Sequence, residues 1–159
     1  MSGDDGVPAW ARGDLGVWAK LRLYLDLEST GVIPYLVERI VFALFSWVPG
    51  LLGVGLRTVF YRAVLKKGEG IFFIRSGVTL KRPGDITLGR GSYLDHSVRI
   101  DGGPGGVTIG EKTRISHNAM LDVHNFRGLE HAGIPIGDNS LIGPYNFIWG
   151  QGGVHIGDN

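Results

Sequence analysis

At 159 residues the chain has room for one ordinary domain, and its apolar fraction of 43% is that of a protein able to bury a core. Cysteine is absent, which excludes disulfides, thiolate metal sites and thiol nucleophiles and fits a reducing compartment. The net charge of +1 hides a basic middle, with ten basic and four acidic groups in residues 35–100. That excess surrounds apolar segments, not exposed aromatics, so it makes no case for nucleic-acid binding.

The chain opens Met-Ser-Gly-Asp-Asp-Gly, acidic where a secretory signal is basic. From Ile40 to Leu56 there are 17 residues without a charge, interrupted by Pro49, Gly50, Gly53 and Gly55. A spanning helix needs about 20 apolar residues, so two helices meeting at a Pro-Gly turn are predicted instead. In the first, Leu36, Val37, Ile40, Val41, Leu44, Phe45 and Val48 follow helical spacing. In the second, Leu52, Leu56, Val59, Phe60 and Val64 form the apolar face, with Arg57, Arg62, Lys66 and Lys67 elsewhere on the helix. Two roles fit residues 35–67: a cap that buries its apolar faces on the following domain or a neighbouring subunit, or a peripheral membrane contact with the cations on anionic lipid.

Glycine is over-represented, 27 residues against roughly 11 expected at about 7% usage, and crowds the second half. There a repeat emerges. Ile74, Leu80 and Ile86 are six residues apart, as are Leu88, Leu94 and Ile100. The pattern resumes at Ile109, Ile115 and Leu121, then at Ile136, Ile142 and Ile148, and again at Ile156. Gly89, Gly110, Gly137 and Gly157 each follow the first aliphatic of a group. Helices need spacings of three and four, and simple strands alternate at two. A six-residue step with a small residue at each corner predicts a mainly β fold, a triangular coil of short parallel strands. The helical segment is placed at 1–67 and the repeat at 68–159. Extra residues at Gly102–Gly106 and Phe126–Gly133 are expected to loop out at corners.

The hexads resemble those of the left-handed β-helix acyltransferases, the hexapeptide-repeat family. Pro-Gly-Leu-Leu-Gly at 49–53, followed by Leu56-Arg-Thr-Val-Phe-Tyr61, and Gly143-Pro-Tyr-Asn-Phe-Ile-Trp-Gly150 resemble bacterial polysaccharide and lipopolysaccharide O-acetyltransferases more narrowly. The resemblance covers roughly residues 35–159. It implies a left-handed coil, a homotrimer, a place in cell-surface glycan synthesis in the cytoplasm or on the inner membrane face, and acetyl-CoA or another acyl-CoA as donor to a sugar hydroxyl. A histidine serves as general base in that chemistry. A sugar N-acyltransferase and a non-catalytic solenoid scaffold or binding module are the alternatives.

Of five histidines, His96 and His117 hold equivalent places in successive coils, about 4.8 Å apart by strand spacing, as in a solvated ladder. His155 lies in the strand leading to the last group start. His124 and His131 are the candidate catalytic residues, His124 at a corner beside Asp122 and Asn125, and His131 in the insertion. Asp122 and Asn125 are the candidate substrate-binding residues. The histidine gaps of 21, 7, 7 and 24 residues do not fit the three-histidine metal pattern of the γ-class carbonic anhydrases, and no metal is expected. In the polysaccharide-modifying relatives the base commonly follows a coil start like Val154-His-Ile-Gly-Asp-Asn159, so the repeat is expected to be incomplete at its C-terminus and residues 1–159 alone to show no turnover.

Overall fold

The computed structural model describes residues 16–123 and 129–159. Among these residues three helices come first, α1 (Val17–Glu28), α2 (Val32–Phe45) and α3 (Gly50–Phe60), the last running into a 3-10 turn at Tyr61–Ala63. Twelve short strands follow among the described residues, and all their pairings are parallel. The first sheet holds β1 (Lys67–Gly68), β4 (Ile86–Leu88), β7 (Val107–Ile109) and β10 (Ile134–Ile136). The second holds β2 (Phe73–Ile74), β5 (Tyr93–Leu94), β8 (Arg114–Ile115) and β11 (Leu141–Ile142). The third holds β3 (Thr79–Lys81), β6 (Arg99–Asp101), β9 (Met120–Asp122) and β12 (Phe147–Trp149). Each sheet therefore takes every third strand, and one circuit of the chain visits all three.

The six-residue aliphatics are what bring the sheets together. Leu88, Ile109, Ile136 and Ile156 stand in register in the first sheet. Ile74, Leu94, Ile115 and Ile142 do so in the second, and Leu80, Ile100, Leu121 and Ile148 in the third. All twelve belong to one core or pack against it, and each fully buried Ile or Leu contributes roughly 1.5–3 kcal/mol. Ile86 corrects the pattern. It does not continue the Ile74–Leu80 series but pairs with Val107, which pairs with Ile134, making a second buried row in the first sheet.

The Ile-Gly-Asp-Asn signature has a local explanation. Asp138 Oδ1 accepts the Glu111 amide one circuit back at 2.7 Å, and Asp158 Oδ1 accepts the Asp138 amide at 2.7 Å. Two small hydroxyl residues at the same corner reach forward: Thr113 Oγ1 donates to the Gly137 carbonyl at 2.6 Å and Ser140 Oγ to that of Gly157 at 2.7 Å. Each corner is thus tied to its neighbours in both directions.

The charge-free run is broken as expected. α2 stops before Pro49, which restricts the residue before it and has no N–H of its own to donate, and α3 starts anew at Gly50. Among the described residues no helix is long and apolar enough to cross a membrane.

The buried faces differ from the expected ones. Leu36, Val37, Ile40 and Leu44 of α2 face outward, as do Leu52 and Val59 of α3. Inward instead come Glu38, Val41, Phe42 and Phe45 from α2, and Gly53 and Arg57 from α3, followed by Tyr61. Arg57, expected off the apolar face of its helix, is only 1% exposed. Its guanidinium donates to the carbonyls of Phe45 and Val48 at 2.8 Å, and to Ile74 in β2 at 2.8 Å. These acceptors include carbonyls that a helix end leaves without partners. The arginine thereby closes α2 and locks α3 onto the second sheet. Rings fill the rest of the seam, with Phe45 stacked on Phe60 at 4.2 Å and Phe42 edge-on to Tyr61 at 5.0 Å.

Candidate functional site

The outward positions flanking each inward aliphatic carry the chemistry. On the third sheet, Lys81, Asp101, Asp122 and Trp149 form one outward row and Thr79, Arg99, Met120 and Phe147 another. A shallow depression of about 120 Å³ is lined by Thr79, Lys81, Arg99, Asp101, Met120 and Asp122. It sets two carboxylates on adjacent strands beside two cations. Lys81 Nζ lies 2.8 Å from Glu28 Oε1 of α1, and hydrogen bonding to that carboxylate raises the lysine above its usual value. Such a row can bond several hydroxyl groups at once.

Asp122 ends β9, just before the chain turns back toward the first sheet. Its backbone carbonyl accepts the Gly150 amide at 2.8 Å. His131 lies on the return path. Its side chain is exposed, and the neighbouring Gly133 is pinned between the Gly150 carbonyl at 2.9 Å and the Val154 amide at 3.0 Å. Asp122 and His131 thus belong to the same corner. His124 and Asn125 lie outside the described residues, and the described ones contain no cluster of three or more His, Cys, Asp or Glu able to hold a metal ion.

A second locus was not foreseen from the sequence. A cavity of about 440 Å³ opens between the start of α3 and the outer face of the second sheet. Leu51, Val54 and Phe73 give it apolar walls, and Arg75, Ser76 and His96 line it as well. Tyr93 shares the wall, its hydroxyl 3.3 Å from Arg75, while Arg114 lies over its ring at 4.7 Å. Asp95, almost fully buried, bridges Arg114 at 3.1 Å and Arg75 at 3.5 Å. Burial acts to raise its carboxyl, but the His96 amide and the two guanidiniums outweigh burial and hold it below its ordinary value. One aspartate between two arginines leaves this wall cationic.

His96 and His117 hold equivalent places in the turns that follow β5 and β8, the Asn118 amide donating to the His96 carbonyl at 3.0 Å. Their rings turn to different neighbours. His96 Nδ1 lies 3.4 Å from the Ser76 carbonyl, and His117 meets Tyr145 edge-on at 5.4 Å. The sequence signal for this locus was the set of residues beside Ile74, Leu94 and Ile115, which alternation places outward. What it lacked was the position of α3, which turns an open strip into a cavity.

Compared with known proteins, the chain matches no family model, no curated protein and no solved structure.

Proposed function

We propose that this chain forms a left-handed β-helix acyltransferase that moves an acyl group, acetyl in the simplest case, from acyl-CoA to a sugar hydroxyl during cell-surface glycan synthesis. The observation that carries the reading is the three-sheet circuit built on six-residue aliphatic ladders, with its long insertion next to an outward row of carboxylates. In the reaction a histidine takes the proton of the acceptor hydroxyl, His124 and His131 at that corner being the candidates within residues 1–159. The oxygen attacks the thioester carbonyl, the C–S bond breaks, and the thiolate leaves with a proton as free CoA. Asp122 and Asn125 are assigned to the acceptor, where hydroxyl-to-carboxylate bonds fix its orientation. The cationic wall around Arg75 and Arg114 suits the phosphates of the donor. A homotrimer would bring this wall and the insertion of different subunits into reach of one another.

Thiol release from acetyl-CoA, measured on the native protein with sugar and amino-sugar acceptors, tests the reading. Loss of turnover by about a hundredfold or more in His124→Ala or His131→Ala supports a base at this corner. Full turnover in both variants moves the base elsewhere. No thiol release with any acceptor, together with no binding of CoA, favours the scaffold reading. Preference for an amine over a hydroxyl converts the assignment to N-transfer.

A further inference from the structure

The helices leave a large apolar surface uncovered. On α2 the residues Ile33, Leu36, Ile40 and Leu44 recur at spacings of three and four and all lie more than half exposed. This stripe is opposite the one that carries Glu38, Phe42 and Phe45 into the core. α3 repeats the arrangement, with Leu51 at 90% and Leu52 at 70% exposed while Gly53 and Arg57 face inward. A helix apolar on both faces is buried on both faces in its working state. Single exposed apolar side chains need no explanation, but exposed apolar stripes on two helices in contact mark a binding surface.

The charges of the helical segment indicate what covers the face. Within the described helical segment, Arg39 is held by Glu28, Lys67 by Glu69, Arg57 is buried, and Arg62 donates to the Gly70 carbonyl and lies over the Phe72 ring. Lys20, Arg22 and Lys66 remain exposed, against Asp26 as the exposed acid. Trp18 at 84% and Trp47 at 70% exposure stand on α1 and beyond the end of α2. Aliphatic stripes, exposed cations and exposed indoles are the composition of an interfacial helical segment. A second copy related by a two-fold axis fits this surface less well, because such a contact would set the same three cations against their own equivalents with little acid to offset them.

We propose that the outer face of α2 and α3 docks on an anionic phospholipid bilayer, the aliphatic side chains entering the headgroup region and Lys20, Arg22 and Lys66 lying over lipid phosphates. This inference does not depend on the acyltransferase reading. The experiment is flotation of the whole chain with vesicles of phosphatidylcholine alone and of phosphatidylcholine with phosphatidylglycerol. Co-flotation is expected with the anionic vesicles and not with the neutral ones, and it should weaken in high salt. Lys20→Glu with Lys66→Glu should lower the bound fraction about tenfold or more, since each cation contributes about one kcal/mol of surface attraction in the wild type. Ile40→Asp with Leu44→Asp should abolish binding with an unchanged circular dichroism spectrum, because both side chains already face solvent. Three outcomes overturn the proposal. One is no flotation with either vesicle. Another is equal, salt-insensitive flotation with both. The third is an oligomer in solution that Ile40→Asp with Leu44→Asp dissociates, without flotation of the wild type, which would give the face to a second copy.

Discussion

Arg57 and Glu38 show how much of the helical segment rests on two polar side chains. Arg57→Ala leaves the carbonyls of Phe45, Val48 and Ile74 without the donor that the structure gives them, at a position where the arginine is only 1% exposed. An orphaned buried acceptor costs about 1–3 kcal/mol, so a loss of at least about 3 kcal/mol is expected in chemical denaturation. Arg57→Lys, which keeps the charge but not the fork, should recover only part of it. Glu38 is 2% exposed, with Oε1 accepting the Ser29 hydroxyl at 2.8 Å and no partner for Oε2. Burial pushes its carboxyl above the ordinary 4.5, and Ser29 and nearby arginines pull it back only in part. The folded state therefore holds this proton more tightly than the unfolded one. Its contribution to stability is complete below the ordinary carboxylate value and is lost as pH rises through the raised one. Glu38→Gln removes that dependence. The difference between the melting temperatures of wild type and variant, followed from acid to neutral pH, should change across this window; a constant difference would show that Glu38 does not titrate there.

α3 carries a test of element packing in two glycines only two residues apart. A Cβ on Gly53 would lie 1.9 Å from the Val48 carbonyl oxygen, whereas one on Gly55 meets nothing within 4 Å. Gly55→Ala should therefore stabilise the protein by about 0.5–1 kcal/mol through helix propensity. Gly53→Ala should destabilise it by about 1–3 kcal/mol because backbone must move to make room. Thermal denaturation of the pair decides, and equal effects would mean that α3 does not sit against the turn after α2. The contrast also shows where the sequence was legible. Six-residue aliphatic spacing has one geometric meaning, so the ladders through Ile74, Leu80 and Leu88 could be read directly. Helical spacing shows that an apolar stripe exists but not which side it faces, and α2 and α3 are apolar on two sides. The choice was made by Arg57, whose hydrogen bonds are to carbonyls 9 to 17 residues away. Nothing in a local window reveals such partners. The corner of Asp122 and His131 was legible as an insertion in the repeat, whereas the cavity beside His96 depended on where α3 lies.

Across the molecule, the spacing between circuits is limited by the corner glycines. Gly110 lies against Gly137, and a Cβ there would come within 2.4 Å of the Gly137 backbone and 2.5 Å of Asp138 Oδ1. That oxygen already holds the Glu111 amide. Gly110→Ala must therefore either part the β7–β10 pairing or displace the Asp138 bond, and it should cost about 3 kcal/mol. Two residues on, Lys112 adopts φ of 54°, in the left-handed region. Gly91 occupies the matching corner of the preceding circuit and Asn139 that of the next, with the amides of Lys112 and Asn139 each donating to the circuit before. A side chain other than glycine in that conformation costs about 1–2 kcal/mol, partly offset by the greater freedom that glycine loses on folding. Lys112→Gly should then stabilise by about 0.5–1 kcal/mol. The two substitutions exchange residue types at one corner and are expected to move the unfolding midpoint in opposite directions. Movement in the same direction would mean that this corner is set by composition and not by close contact between circuits. The predicted opposition follows from the stacking itself: at 110 the neighbouring circuit leaves no room for a side chain, and at 112 the side chain points into solvent while the backbone carries the strain.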